Sequence, residues 1–343
     1  MNETYFLGAN SENGFYSLYD GFAPGAFLHI IKGGPGCGKS GFMKKIADAA
    51  EKRGMSVHRV LCSGDPDSLD GVYIPKLGQA WMDGTSPHAK EPNVCGIDSD
   101  YIYLGGFLRP DFTDDEKSYV NSLSTGYGKC YAETVNLISS ASSLMKAVAP
   151  GRLKSSVKSD ITTNIEEFMN RHGGKYEISS AVIEKRFLSC ASCYGDYRLN
   201  SEITVLCKHI CSFGNCAPYD SVFLEIAAEC AGKRGGRIIL CPSPTCPEKL
   251  TAVLLPDRGL AFAGSGWDFE SSVKLLPDES ISNNKDSEYS RILKLHDEIM
   301  ALAYSKLGAA KDWHDRLESA YSSHIDFNAL TEFTEKALAD IFG

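Results

Sequence analysis

At 343 residues, with 43% hydrophobic and 23% charged side chains, the chain has the composition of a folded globular protein and the length of two average domains. Its formal net charge of −9, without any run of lysine or arginine, argues against a dedicated nucleic-acid surface, which needs clustered cations. The sequence has neither a signal-peptide pattern nor an apolar run near the roughly 18 residues of a membrane span, so we expect a cytoplasmic protein without membrane contacts.

The first strongly patterned segment is residues 27–54, FLHIIKGGPGCGKSGFMKKIADAAEKRG. An apolar strand, a glycine-rich turn and a helix follow one another, and the helix carries Phe42, Ile46, Ala49 and Ala50 on one face. Between strand and helix, residues 33–40 match G-x-x-x-x-G-K-[ST] in full, which is the pattern of a phosphate-binding loop, or P-loop.

The residues of this loop have distinct predicted roles. Backbone N–H groups can surround a phosphate where glycine leaves the loop open, and the helix amino terminus adds partial positive charge. We predict that Lys39 reaches the β- and γ-phosphates and that Ser40 coordinates Mg²⁺, while Cys37 fills space. The residues expected to bind the nucleotide are Gly33, Gly34, Pro35, Gly36, Cys37, Gly38, Lys39, Ser40 and Gly41.

An acidic residue at the end of a second strand should help to hold the metal. Asp83 follows the apolar run Ala80-Trp81-Met82, and it is the predicted metal ligand. Asp65 and Asp67 follow the strand SVHRVLC and are predicted to order water or substrate. The alternative is that these aspartates are turn formers, since Asp-Pro and Asp-Gly pairs punctuate loops.

Long helices are predicted towards the end of each half. Thr113 and Glu116 form a capping box before an apolar stripe, with Pro150-Gly151 as a stop. A similar stripe extends from Ile292 to Leu317, after a predicted mobile loop over residues 277–286.

The chain repeats itself at an offset of 181 residues. Of the 75 positions from 6 to 80, 20 are identical to the residue 181 positions further on, including Phe6/Phe187, Leu69/Leu250 and Lys52-Arg53-Gly54/Lys233-Arg234-Gly235. Chance identity is about 6%. The halves are therefore interpreted as duplicates, with domains over residues 1–176 and 177–343.

The second copy of the P-loop is GNCAPYDS, residues 214–221. Tyr219 stands where the first copy has Gly38, and Asp220 stands where it has Lys39. A carboxylate in place of the phosphate-binding lysine repels a phosphate at any plausible dielectric. The second half is therefore predicted not to bind a nucleoside triphosphate in the usual way.

Four of the 12 cysteines map by the repeat to positions in loops or near them. Cys190, Cys193, Cys216 and Cys246 are hypothesised to surround the vacated second pocket and to bind Zn²⁺ or an iron–sulfur cluster. The alternative is that they are ordinary free thiols of a reduced compartment.

Several segments resemble a family of uncharacterised bacterial ATPases with two P-loop domains in one chain: GFYSLYD, IKGGPGCGKSGFMKKIA, SLDGVYIPKL and DGTSPH. The resemblance is close over the first 105 residues and reaches the second half through the repeat. It implies an α/β fold of two duplicated P-loop domains, each with a mostly parallel sheet flanked by helices and followed by a helical segment. It further implies ATP binding with slow hydrolysis or phosphoryl transfer. By their places in the shared motifs, the residues that the resemblance implies to be functional are Lys39, Ser40, Asp83, Thr85 and His88. The family's second P-loop is intact, and here it is not.

Three functions fit the sequence. The first is a Mg²⁺-dependent ATPase with a degenerate second half. Adenine is the favoured base, because the sequence lacks a proper guanine-binding N-K-x-D motif: the nearest approach, at Asn284, has its aspartate one position early. The second is a small-molecule or nucleotide kinase. The third is a non-catalytic module that senses ATP, with an unknown protein partner.

Overall fold

The computed structural model describes residues 1–148, 153–174, 180–213, 219–267, 269, 273–274 and 287–343. The predicted stop at Pro150-Gly151, the loop over residues 277–286 and most of GNCAPYDS (residues 214–218) lie outside these residues. Within the described part of the chain, no helix is both long and apolar enough to cross a membrane.

The first half builds a six-stranded sheet, a hairpin and three helices. The strands are β1 (Glu3–Phe6), β2 (Gly8–Ser11), β3 (Gly14–Ser17), β4 (Phe27–Lys32), β5 (His58–Leu61), β6 (Leu69–Ile74), β7 (Gln79–Asp83) and β8 (Ser99–Tyr103). The helices are α1 (Lys39–Lys52), α2 (Asp114–Ala147) and α3 (Ser155–His172). The predicted strand and helix around the P-loop are thus present.

The second half repeats this series with one additional short helix. Its strands are β9 (Ala181–Lys185), β10 (Ser189–Ser192), β11 (Gly195–Arg198), β12 (His209–Ser212), β13 (Gly236–Pro242), β14 (Leu250–Leu255), β15 (Leu260–Ala263) and β16 (Val273–Lys274). Its helices are α4 (Asn200–Leu206), α5 (Asp220–Arg234), α6 (Ser287–Ser322) and α7 (Phe327–Phe342).

The two sheets have the same strand order. The first is β1-β5-β6-β7-β4-β8 and the second is β9-β13-β14-β15-β12-β16, with corresponding strands in corresponding places. In each sheet, one strand (β6 or β14) is antiparallel to both neighbours, and the other pairings are parallel. The protein is thus a mixed α/β fold with largely parallel sheets, as predicted.

Equivalent residues of the two halves meet across an approximate twofold axis. Phe6 and Phe187, which are 181 residues apart, exchange two backbone hydrogen bonds of 2.9 Å. Beyond the Phe6–Phe187 pair, the N–H of Glu12 donates to Thr245 O (2.9 Å) and the N–H of Cys193 donates to Gly64 O (3.1 Å). These contacts are again related by the 181-residue offset, so the halves associate like the two subunits of a symmetric dimer.

The last helix of each half packs against the other half. Helix α3 packs on α5 of the second half, with Ile165 and Phe168 in the same buried cluster as Phe223. Helix α7 packs on α1 of the first half, where the rings of Phe333 and Phe42 lie 6.0 Å apart. Because these apolar faces cover the opposite sheet, residues 1–176 and 177–343 share one core.

The long helices α2 and α6 lie side by side in opposite directions. Thr113 caps α2 as predicted: its side chain accepts from the N–H of Glu116, and the Glu116 carboxylate accepts from the N–H of Thr113. Trp313 of α6 lies against Gly126 of α2, where an added Cβ would come within 2.7 Å of the indole ring. A side chain larger than hydrogen at position 126 would therefore separate the two helices.

Candidate nucleotide site

The P-loop connects β4 to α1. Gly36 and Gly38 have φ values of 71° and 78°, a left-handed conformation that glycine adopts without strain. Helix α1 begins at Lys39, so the loop leads directly into the positive end of the helix dipole. Cys37 is buried in the apolar cluster beneath the loop, as expected of a space-filling residue, and burial raises the pKa of its thiol.

Lys39 lies inside the loop. Its Nζ donates to the carbonyl oxygens of Gly33 (2.9 Å) and Gly34 (3.0 Å), and it lies 3.6 Å from Asp83 Oδ2. The ammonium group is thus held between loop carbonyls and one carboxylate, from which it could turn towards an incoming anion.

Asp83 occupies the end of β7, directly beside β4 and parallel to it, in register with Ile31. Its Oδ1 accepts hydrogen bonds from the N–H (2.8 Å) and the hydroxyl (2.6 Å) of Thr85. Those two bonds fix the carboxylate so that Oδ2 faces Lys39. Parallel neighbouring strands end at the same edge of the sheet, which is why the two residues meet although they are distant in sequence.

Ser40 lies in the first turn of α1, and its Oγ accepts from the N–H of Leu69 (2.9 Å). The equivalent Ser221 accepts from the N–H of Leu250 (3.1 Å) in the second half. The helix start therefore has the same backbone geometry in both halves, including the half in which the loop sequence has changed.

Asp65 and Asp67 lie in the turn between β5 and β6. The two oxygens of Asp65 accept from the N–H of Asp67 (3.3 Å) and from the hydroxyl of Ser68 (3.1 Å). Asp67 is exposed, and its carboxylate accepts from the Tyr194 hydroxyl (2.6 Å). These contacts are those of turn-forming residues, and neither aspartate is paired with Lys39 or Ser40.

A buried polar cluster lies behind Asp83. The Tyr19 hydroxyl donates to Asp70 Oδ2 (3.0 Å), and His88 Nε2 lies 3.5 Å from the same oxygen. Burial alone would lower the pKa of His88, but the hydrogen bond and negative charge of Asp70 outweigh it and raise the pKa. No described residue pairs with His88 Nδ1. His88, which the family resemblance singled out, is therefore held near Asp83 by Asp70.

The second half covers the P-loop, which the sequence did not predict. The N–H of Gly36 donates to Glu318 Oε1 of α6 (3.3 Å). A Cβ at Gly36 would lie 2.9 Å from Glu318 O, and a Cβ at Gly38 would lie 2.9 Å from Leu330 of α7. A carboxylate thus occupies the position at which a P-loop N–H would meet a phosphate oxygen. The contact joins residues 282 positions apart, so no local pattern could have signalled it.

The same stretch of α6 brings three potential metal ligands together. His314, Asp315 and Glu318 place ligand atoms within 4.8 Å of one another. One turn earlier, Lys311 Nζ lies 3.7 Å from Asp65 Oδ2. Residues of the second half therefore add both charges and hydrogen-bonding groups to the edge of the first-half site.

The cysteine cluster is not formed by its three described members. Cys190 is buried in β10, Cys193 pairs through its backbone with Gly64 of the first half, and the Cys246 thiol donates to Glu12 (3.6 Å). They belong to no three-ligand group among the described residues. None of these three lines the second-half pocket, and Cys193 instead pairs with the opposite half. Cys216 lies outside the described residues.

Comparison of the chain with protein-family models, curated proteins and solved structures found no match. The case for function therefore depends on the geometry of the site.

Proposed function

We propose that the protein is a Mg²⁺-dependent P-loop NTPase that binds and slowly hydrolyses ATP at its first-half site, like the tandem ATPases that it resembles. The observation that carries this proposal is the placement of Lys39 between the loop carbonyls and Asp83, at the start of α1.

The described residues fit a Mg²⁺–nucleotide complex. Glycines at positions 36 and 38 carry no side chain that would block phosphate oxygens from the loop N–H groups once Glu318 has left the Gly36 N–H. Lys39 would exchange the Gly33 and Gly34 carbonyls for the β- and γ-phosphates. Ser40 and Asp83 would hold Mg²⁺, which neutralises charge on the phosphates. Asp83 is already oriented by Thr85, so little reorganisation is required of it.

ATP binding requires a movement of α6. Glu318 accepts from the Gly36 N–H, and a carboxylate and a phosphate cannot share that donor without strong repulsion. We infer that a bound nucleotide displaces the carboxyl-terminal part of α6. This favours a second candidate function, a nucleotide sensor in which ATP changes the arrangement of the two halves.

Titration calorimetry with Mg²⁺–ATP tests the site. Lys39→Ala is expected to abolish measurable binding, because it removes the cation that faces the phosphates. The matched control is Asp220→Ala, the same position in the second half, which should bind ATP as the wild type does. Unchanged ATP affinity in the Lys39 variant would refute the assignment.

Phosphate release measured on the same samples separates the two candidate functions. Turnover that depends on both Mg²⁺ and Lys39 supports the ATPase. Stoichiometric retention of unhydrolysed ATP, with a rise in melting temperature that Lys39→Ala removes, supports the sensor.

A further inference from the structure

The second half contains a pocket of about 520 Å³ at the position of its former nucleotide site. Its wall includes the start of α5, the end of β15 and the amino-terminal part of α6. The residues that matter for its chemistry are Asp220, Gly264, Trp267, Tyr289, His296 and Tyr304. The proposed ATP function leaves this pocket unused.

Asp220 gives the pocket a carboxylate with one oxygen that lacks a donor. Oδ2 accepts from both the N–H and the hydroxyl of Ser265, each at 2.6 Å. Oδ1 is screened from solvent, and no described residue donates a hydrogen bond to it. A buried acceptor without a donor is destabilising, and a cation held in the pocket beside the carboxylate would offset that cost through its charge.

The pocket wall also carries other charged groups, including the exposed Lys249, and several of them have partners among the described residues. Arg198 donates twice to Asp196 (2.9 and 2.6 Å), and Glu225 accepts from the Ser221 hydroxyl (3.2 Å). His296 lies 2.9 Å from Asp297. No described lysine or arginine forms an ion pair with Asp220. Asp220, like Glu225, is therefore a pocket carboxylate without an ion-pair partner among the described residues, and one oxygen of Asp220 also lacks a described hydrogen-bond donor.

The first half shows how the charge was inverted. Lys39 and Asp83 face each other there, whereas Asp220 and Gly264 occupy the equivalent positions in the second half. A Cβ at Gly264 would lie 3.0 Å from Asp220 Oδ2, so an aspartate would crowd the new carboxylate. The position that carries a cation in the first half thus carries an anion here, without an ion-pair partner among the described residues.

We propose that this pocket binds a small organic cation, a protonated amine or guanidine, whose charged group pairs with Asp220 and whose apolar part packs on Tyr289 and Tyr304. The Trp267 ring beside them already faces the Arg198 guanidinium, 5.7 Å from its centroid. Aromatic faces attract organic cations and exclude water from them. A bare metal ion fits less well, because Asp220 belongs to no three-ligand group among the described residues and the volume exceeds that of one ion. A triphosphate would be repelled by the Asp220 carboxylate, because both are negatively charged.

The experiment uses the full-length protein and butane-1,4-diamine as the probe, with butane-1,4-diol as its uncharged match at equal ionic strength. Calorimetry should show saturable binding of the diamine and none of the diol. Asp220→Asn should weaken diamine binding about ten- to a hundredfold, because it removes the charge from the charge-assisted hydrogen bond. Glu225→Gln, in the same pocket but at a carboxylate that already has a partner, should leave binding within about twofold.

The outcome is independent of the ATP site, since the Lys39→Ala protein should bind the diamine as the wild type does. Equal binding of diol and diamine, no diamine binding at millimolar concentration, or equal affinity in Asp220→Asn would each overturn the proposal. The comparison of diol and diamine needs only the wild-type protein, so it decides the matter even if Asp220→Asn does not fold.

Discussion

Lys39 and Asp220 occupy equivalent positions on equivalent backbones and carry opposite charges. Both lie at the first residue of a helix, and in both halves the next serine accepts the same backbone hydrogen bond from the strand that follows. The backbone at the start of the helix is thus the same with either charge. The charge, in contrast, determines which ligand this position can accept. A few side chains are enough to convert a phosphate site into a site of another kind.

Replacing Asp83 is expected to impair metal binding more than nucleotide binding. Asp83→Asn keeps the hydrogen bonds to Thr85 but removes a negative charge, so Mg²⁺-dependent phosphate release should fall about ten- to a hundredfold. ATP binding measured in EDTA should be little changed. Phosphate release and calorimetry with and without Mg²⁺ measure both effects.

Asp67→Asn is the control for that substitution, because Asp67 is exposed and contacts Tyr194 rather than Lys39. A loss of hydrolysis in Asp67→Asn as large as that in Asp83→Asn would mean that the turn, and not the end of β7, holds the metal.

Helix α6 is the element that connects the two candidate sites. Its amino-terminal part contributes Tyr289, His296 and Tyr304 to the second-half pocket, and its carboxyl-terminal part carries Glu318 to the P-loop. One continuous helix moves largely as a unit, so a displacement at one end changes the position of the other.

Removing the Glu318 carboxylate should strengthen ATP binding. Glu318→Ala frees the Gly36 N–H and removes an anion from the phosphate position, and a hydrogen bond of this kind is worth about 1 kcal/mol. The ATP dissociation constant should therefore fall about two- to tenfold when measured by calorimetry. Glu298→Ala, an exposed glutamate elsewhere on α6, should leave it unchanged. Weaker ATP binding in Glu318→Ala would instead make Glu318 part of the binding site.

At the scale of the whole molecule, the halves are joined by a buried ion network as well as by a shared core. Glu3 of the first half accepts hydrogen bonds from Arg186 and Arg237 of the second, and Glu184 binds the same two arginines. Burial would raise the pKa of Glu3, but Arg237 and Arg186 outweigh it and lower the pKa to about 2. Glu3 thus remains charged throughout the neutral range.

The pKa of Glu3 makes a prediction about acid stability. The folded-state value of about 2 lies below the ordinary 4.5, so the stabilisation is fully present above pH 4.5 and is lost as the pH falls towards 2. Glu3→Gln should lower the free energy of unfolding at pH 7 by about 3 kcal/mol, because it leaves the buried Arg186 with Glu184 as its one remaining described carboxylate partner. The difference from the wild type should shrink below pH 4.5, as measured by urea denaturation at several pH values.

Glu133→Gln is the matched control, since Glu133 also bridges the halves, through Lys306 (2.6 Å), but lies at a partly exposed surface site. Exposed pairs contribute little, so its unfolding curve should follow that of the wild type. A Glu3→Gln protein that is as stable as Glu133→Gln at pH 7 would show that the network does not hold the halves together.

Local pattern sufficed for the P-loop, the helix after it, the capping box at Thr113 and the placement of Asp83 at a strand end. In each case the interacting residues are close in sequence or follow strand and helix periodicity. Asp65 and Asp67 look equally suited to a site in the sequence, yet the turn uses the Asp65 carboxylate for its own hydrogen bonds, and the Asp67 carboxylate accepts from Tyr194 of the second half.

The sequence by itself determined that the chain contains two related halves, which of them has an intact P-loop, and that the other has a carboxylate at the lysine position. These properties follow directly from the identity of the residues and their spacing along the chain. Tertiary structure alone decided that Cys193 faces the opposite half, that α3 and α7 exchange partners, and that Glu318 covers Gly36. These contacts join residues far apart in the chain, and they depend on how two apolar surfaces pack, which no local pattern specifies.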